Sequence, residues 1–308
     1  MARIALKVDV DTLHGTLEGV PRLLSLFEKH RVRATFLFSL GPDHTGWALR
    51  RVIRPGFLSK VARTSVLSHY GLRTLAYGVL LPAPDIGRRA APVMRAARRA
   101  GHECGIHTWD HVVWHDNVRT QDAAWTRRQM RMAFDRYGDI FGEAPTTHGA
   151  AGWQMNAAAL SQIDAWAMAY ASDGRGSMPY RVGGEAGPHT HVQIPTTLPT
   201  LDELIGTDGM DDRGACAALL TSTDSDEDQV FTLHAELEGR LLAPTFDLLL
   251  SSWKAQGHEL VDLCESFRHL RRDALPERPF AWGTIAGRSG ELMVMPTVMH
   301  RSAVRSVG

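Results

Sequence analysis

Apolar residues recur along this chain in two rhythms. Short apolar runs at 4–10, 34–40, 102–106, 145–148, 167–171, 192–194, 230–234 and 259–261 read as strands. Between them, segments 20–29, 87–100, 121–137, 157–163 and 246–256 place apolar residues on one helical face. Pro21 suits a helix start, Gly41-Pro42 ends the second strand, and Gly138 is expected to stop the long helix. Strand and helix in turn predict a parallel α/β sheet, open or closed into a barrel. Two kinds of stretch interrupt the rhythm. Residues 42–84 are too many for a βα connection, and 174–188 and 207–228 are glycine- and acid-rich loops.

Composition narrows the class without naming a function. The 308 residues are 44% hydrophobic and 22% charged, with 34 basic and 34 acidic side chains. Disordered tails, collagens, coiled-coil rods and disulfide scaffolds are excluded by these values. Cys104, Cys216 and Cys264 form no CxxC pair and are expected to be reduced thiols. The first residues do not read as a signal peptide, and no run approaches the ~20 apolar residues a bilayer span needs. A cytoplasmic protein, free or lying on a membrane, is the expectation. Charge is segregated: Arg50 to Arg99 is almost wholly basic and Asp202 to Asp228 almost wholly acidic. A basic region of this kind attracts phosphate or anionic lipid. No base-stacking module accompanies it, so nucleic acid is not an expected partner.

The chemistry-bearing residues gather at strand ends. Asp9 and Asp11 lie two apart at the exit of the first strand and so share a face. His107 and His111 form H-x-x-x-H, a spacing that on a helical turn aims both imidazoles at one ion. Chance alone supplies roughly one such pair in a chain this rich in histidine, so position carries the argument. His107, His148, Asp173 and His234 all follow expected strands, at the edge where parallel α/β folds build active sites. One Asp and two His suit Zn²⁺, Mn²⁺, Fe²⁺ or Co²⁺ with positions left open for water and substrate. His30, His69, His189, His191, His258 and His269 are expected only to pack or to face solvent.

The segments Asp9-Val-Asp11, Ala34-Thr35-Phe36-Leu37-Phe38 and Gly101-His102-Glu103-x-Gly105-x-His107-Thr108-x-x-His111 resemble the polysaccharide deacetylase (NodB-homology) family of carbohydrate esterases. Further segments, Pro145-x-Thr147-His148-x-Ala150-Ala151-Gly152-Trp153, Ser172-Asp173-x-Arg175-Gly176 and Leu233-His234-Ala235-Glu236-x-Glu238-Gly239, resemble its branch acting on a formamido-arabinose carried by undecaprenyl phosphate. The resemblance implies a distorted seven-stranded (β/α) barrel over residues 1–265, with 42–84 an inserted amphipathic membrane or lid segment and 266–308 a C-terminal extension. It implies one divalent ion (Zn, Mn or Co) on Asp11, His107 and His111. Asp9 would be the general base, His234 the general acid and Asp173 the residue orienting that His. His148, Gly149, Trp153 and Arg175 would meet substrate. The implied reaction is hydrolysis of the formamide to a free amine and formate, for lipid A modification and resistance to cationic antimicrobial peptides, at the anionic face of the inner membrane. A deacetylase of another glycan, or a silent lipid-phosphate binder, are the alternatives. The family's Arg-x-Pro motif, which holds the base, is replaced here by Glu143-Ala144-Pro145. Within the insertion, Phe57, Leu58, Val61, Ala62 and Ser65 recur as one stripe, with Lys60 and Arg63 pointing away.

Overall fold

The computed structural model describes residues 2–48, 72–183, 188–279, 281–288 and 290–296. The insertion's apolar stripe lies outside them. In chain order come β1 (Arg3–Val10), α1 (Val20–His30), β2 (Thr35–Ser39), α2 (Leu72–Ala76), α3 (Ile86–Arg99), β3 (Glu103–Thr108), α4 (His111–Asn117), α5 (Ala123–Phe141) and α6 (Ala157–Ala165). Then follow β4 (Tyr170–Ala171), β5 (Tyr180–Gly183), β6 (Val192–Gln193), α7 (Leu201–Leu204), α8 (Asp212–Ser222), β7 (Gln229–His234), α9 (Ala243–Ala255), β8 (Glu259–Val261), α10 (Leu263–Arg268), β9 (Glu277–Pro279), β10 (Ala281–Gly283) and β11 (Leu292–Val294).

The main sheet is parallel in the order β3-β2-β1-β7, with β8 also paired to the start of β1. Alternation along β1 divides its side chains. Ile4, Leu6, Val8 and Val10 enter the main core with Leu23 and Phe27 of α1, Met94 of α3 and Phe246 and Trp253 of α9. Lys7 and Asp9 take the opposite face. Past β3 the pairing continues in single backbone hydrogen bonds. Gly149 N–H donates to Ile106, Ser172 N–H to His148, Ile194 N–H to Ala171, and Leu198 N–H to Val230 of β7. This path of single bonds runs from β3 through 147–149, β4 and the β6 segment to β7, alongside the parallel sheet of the expected α/β fold. The run 145–148 forms only one bridge, Ile106 with His148.

The long helix α5 does not stop at Gly138. It runs on to Phe141 and ends at Gly142, which takes the left-handed conformation at φ 75°. A mid-helix glycine costs only about 1 kcal/mol, and Ile140 and Phe141 offset that by packing on the core. The chain beyond 265 joins the body: β9 pairs with β5, and Met293 of β11 is buried against the second hydrophobic cluster.

Candidate active site and metal centre

Three expected ligands converge. The ligand atoms of Asp11, His107 and His111 all lie within 4.8 Å of one another. Asp11 Oδ1 is 3.2 Å from His107 Nε2 and 3.5 Å from His111 Nε2. Ligands about 2.1 Å from one ion stand about 3.0 Å apart in an octahedron and about 3.4 Å in a tetrahedron, so these separations fit a shared cation. The buried Asp11 Oδ1 has no hydrogen-bond partner among the described residues, as a vacant donor to a cation would. Burial alone would raise its pKa, but His111 and His107 outweigh it and hold the carboxyl well below its ordinary range.

The imidazoles do not reach the ion from one helical turn. His107 belongs to β3 and His111 opens α4. Asp110 caps that helix by accepting the Val113 N–H at 3.1 Å, and so sets where it begins. Gly149 holds His107: its carbonyl accepts from Nδ1 at 2.7 Å, which places the proton there and frees Nε2 for the ion. A side chain at Gly149 would stand 2.2 Å from Leu37 Cδ1.

Register places the expected base and acid side by side. Asp9 of β1 pairs directly with His234 of β7. Lys7, two residues below Asp9 and fully buried, sets its ammonium 3.6 Å from Asp9 Oδ2 and donates to the Ser172 carbonyl at 2.9 Å. Burial depresses the lysine pKa, while Asp9 and Asp173 act to restore it. The first strand itself thus sets a buried cation beside Asp9, where the Glu143-Ala144-Pro145 stretch carries none.

The carboxylate facing His234 is Asp202, not Asp173. Asp202 Oδ1 lies 3.8 Å from His234 Nδ1. Asp173 is engaged elsewhere, accepting from His148 Nδ1 at 2.6 Å and Gln193 Nε2 at 2.8 Å. His234 is buried, which lowers its pKa, yet Asp202, Asp11, Glu238 and Asp9 overcome this and push it up to about 9. Glu238 also accepts the His234 backbone N–H at 2.8 Å.

Of the four expected substrate residues, the structure puts only Trp153 on the wall of the site's cavity. That cavity, of about 160 Å³, is lined by Asp9, Asp11, His107, His111, His234 and Trp153, together with Asp202, Glu236 and Arg288. His148 and Gly149 stand behind the ligands instead. His148 pairs with Asp173, and Gly149 orients His107. Arg175 is buried in a two-point ion pair with Glu203, at 2.7 and 3.0 Å, and donates to the Leu198 carbonyl. Trp153 itself holds a left-handed backbone, φ 53°, a conformation disfavoured for so bulky a residue.

Sequence reasoning missed Lys7, Asp202, Glu236 and Arg288. Lys7 had a signal, since it shares the parity of Asp9 and Asp11. Glu236 lay within a quoted motif. Its Oε1 accepts from the N–H groups of Asp11 and Thr12 and from the Thr12 hydroxyl, fixing the loop that carries the ligand. Burial and the nearby Asp11 push its pKa up to about 8. Asp202 and Arg288 had no local signal.

A second His/Asp group, Asp164, His189 and His191, also clusters. Here both imidazole Nδ1 atoms sit at 2.6 and 2.7 Å from the carboxylate. Those lengths are hydrogen bonds, too short for two ligands of one ion. Thr190 donates to the same carboxylate through both N–H and hydroxyl. The group fastens the chain before β6.

Fold and site together define an α/β protein in which Asp9, Asp11, His107, His111 and His234 line a single cavity. The model of the polysaccharide deacetylase family matches residues 3–171. The chain belongs to that family. A protein of Shewanella sediminis named as a 4-deoxy-4-formamido-L-arabinose-phosphoundecaprenol deformylase, ArnD, is 35% identical over 269 residues, 87% of each chain. A protein of the same name from Wigglesworthia glossinidia brevipalpis is 30% identical over 241 residues, 77% of this chain and 83% of its own. Among solved structures, a polysaccharide deacetylase by title from Mycobacterium smegmatis aligns with a TM-score of 0.63 at 18% identity, covering 92% of this chain and 95% of its own. That likeness shows the fold.

Proposed function

We propose that this protein hydrolyses the formamide of 4-deoxy-4-formamido-L-arabinose carried on undecaprenyl phosphate, releasing formate and the 4-amino sugar used in lipid A modification. The observation that carries the reading is the Asp11–His107–His111 triad flanked, in strand register, by Asp9 and His234. The substrate comes from the two relatives named above. A divalent ion bound by the triad would supply Lewis acidity toward the formyl oxygen and the attacking water. Asp9, held by Lys7, takes the proton from that water as it adds to the formyl carbon. An amide nitrogen leaves poorly as an anion, so His234 must donate a proton to it as the C–N bond breaks. The carboxylates around it, Asp202 foremost, raise its pKa and so favour its holding that proton. The water thus contributes hydroxyl to formate and a proton to the enzyme, and the amine leaves neutral. Formate release from a formamido sugar should appear with added Mn²⁺, Zn²⁺ or Co²⁺ and vanish with chelator. Release that ignores the chelator would refute the metal-dependent mechanism.

The same reading places the enzyme at an anionic membrane surface. No described helix is long and apolar enough to cross a membrane. Instead, exposed apolar side chains stand on connections that leave the C-terminal ends of strands. Leu17 follows β1, Val79, Leu80 and Leu81 follow β2, and Leu241 follows β7, with Leu80 at 83% exposure. Exposed Arg88 and Arg89 open α3 beside the second group. This apolar rim with basic flanks, on the catalytic edge of the sheet, matches a polyprenyl substrate whose lipid stays in the bilayer. Vesicles containing anionic lipid should bind the protein at low salt, and Leu80→Glu should weaken that binding. No binding at low salt would refute the placement.

A further inference from the structure

Most of the charged groups at the cavity have an opposite charge close by. Asp9 has Lys7, Glu203 has Arg175, and Asp202 has His234. Asp11 has the two histidines and the ion they would share. Arg288 shares its partner with a second arginine. Its guanidinium carbon sits over the Trp153 indole, 4.3 Å from the ring centroid, and the residue lines the same cavity as the ligands. Its ion pair, 3.4 Å to Glu203 Oε1, is made to an oxygen that Arg175 already takes at 2.7 Å. The other Glu203 oxygen is held by Arg175 and by the Thr200 N–H. Asp202 also feels the Arg288 charge, but it faces His234 and accepts from the Thr200 hydroxyl. A stacked guanidinium keeps its in-plane N–H donors for a ligand, in a fork that matches two oxygens of a phosphate.

We propose that Arg288, laid on Trp153, is an anion subsite that binds the phosphate joining the sugar to its lipid carrier. The proposal rests on the deformylase reading and deepens it. In that substrate the amide and the phosphate occupy opposite ends of one sugar ring. One small cavity lined by both the ligand triad and Arg288 can therefore hold the amide at the ion and the phosphate at the guanidinium. The subsite would make this enzyme select a glycosyl phosphate over a neutral formamido sugar. Arg175, 4.9 Å from the centroid of the same indole, is turned to Glu203 and the Leu198 carbonyl and is not among the residues that line the cavity.

The test compares kcat/KM for two soluble substrates in the metal-loaded enzyme. One is a short-chain prenyl phosphodiester of formamido-arabinose, and the other is the methyl glycoside of the same sugar. The wild-type protein should prefer the phosphodiester, and Arg288→Ala should reduce that preference about ten- to a hundredfold. Arg288→Lys, which keeps the charge but loses the fork and the stack, should fall between them and serves if the alanine variant is unstable. Equal losses on both substrates, or a wild-type enzyme without preference, would overturn the subsite while leaving the deformylase reading standing. Absence of formate from both substrates would overturn that reading, and the subsite with it.

Discussion

Replacing Asp202 with Asn tests the assignment of acid chemistry most directly. Asp202 is the largest of the carboxylate influences that raise His234 to about 9, and it stands 3.8 Å from the ring nitrogen. An opposite charge at such a distance moves a titrating group by about 1–3 units. Loss of Asp202 should therefore lower the His234 pKa, and the alkaline limb of kcat/KM should shift toward acid by one to two units. The sign follows from the role: the working form is protonated, so activity is present below the pKa and lost above it. Well above the wild-type limb, a variant whose limb lies one to two units lower should lose about ten- to a hundredfold in activity. Well below both limbs the two proteins should differ by less than about twofold. A bound cation lowers His234 in both alike, so the separation between the limbs survives it. The assay is formate release from pH 6 to 10 at fixed metal, with melting temperature as a check on folding. Superimposable alkaline limbs would show that Asp202 does not tune the acid.

Adding Mn²⁺, Zn²⁺ or Co²⁺ to chelator-treated protein should raise its melting temperature, since a ligand at a hundred times its Kd stabilises by about 2.7 kcal/mol; Asp11→Asn should abolish the rise, and a wild-type protein indifferent to all three ions would refute the triad. Metal analysis should find one ion per chain, unchanged by His189→Ala, whereas two ions would refute the reading of the Asp164 group as hydrogen bonds. Lys7→Met should strand Asp9 without its cation in the protein's interior, destabilise the protein by about 3–5 kcal/mol and cut turnover at least tenfold, with Lys7→Arg recovering part of both. Full activity in Lys7→Met would remove the lysine from its assigned place.

Much of this was legible from periodicity. The alternation of Val8 and Val10 with Asp9 and Asp11 put two carboxylates on one face, and both are buried beside the site. Residues that needed only their own strand were found: Asp9, Asp11, His107 and His234. What failed were pairings across the fold. Asp173 and Asp202 are both acids close after apolar runs, and nothing local tells which of them meets His234. The choice is made by where the chain carries β6 and α7 relative to β7. Lys7 reads as a surface residue by type, because a buried lysine is recognisable only from the carboxylates around it. Arg288 comes from the stretch 266–308, expected as a C-terminal extension, and Met293 and the β9 pairing bind that stretch to the body. The convergence of His107 and His111 was foreseen, but by way of a helix. The actual route is a strand, a capped turn and a helix start, which the same four-residue spacing also permits.

The proposed catalytic couple inherits its geometry from the sheet. Asp9 and His234 are register partners, and the Ala235 N–H donates to the Asp9 carbonyl at 3.0 Å just beyond the last pair. A slip of one residue between β1 and β7 would turn Asp9 outward to the helices and bring Val8 or Val10 inward. That slip is opposed by the apolar set Ile4, Leu6, Val8 and Val10, which would leave the core together. Glu236 and Glu238, next after β7, reach back to the Asp11 loop and to the His234 backbone. The hydrophobic alternation of β1 thus fixes the register of Asp9 against His234, while carboxylates beyond the strand end fix the loop that carries Asp11. A site built this way needs few residues dedicated to positioning alone, because the burial that stabilises β1 also sets where Lys7, Asp9 and Asp11 must point.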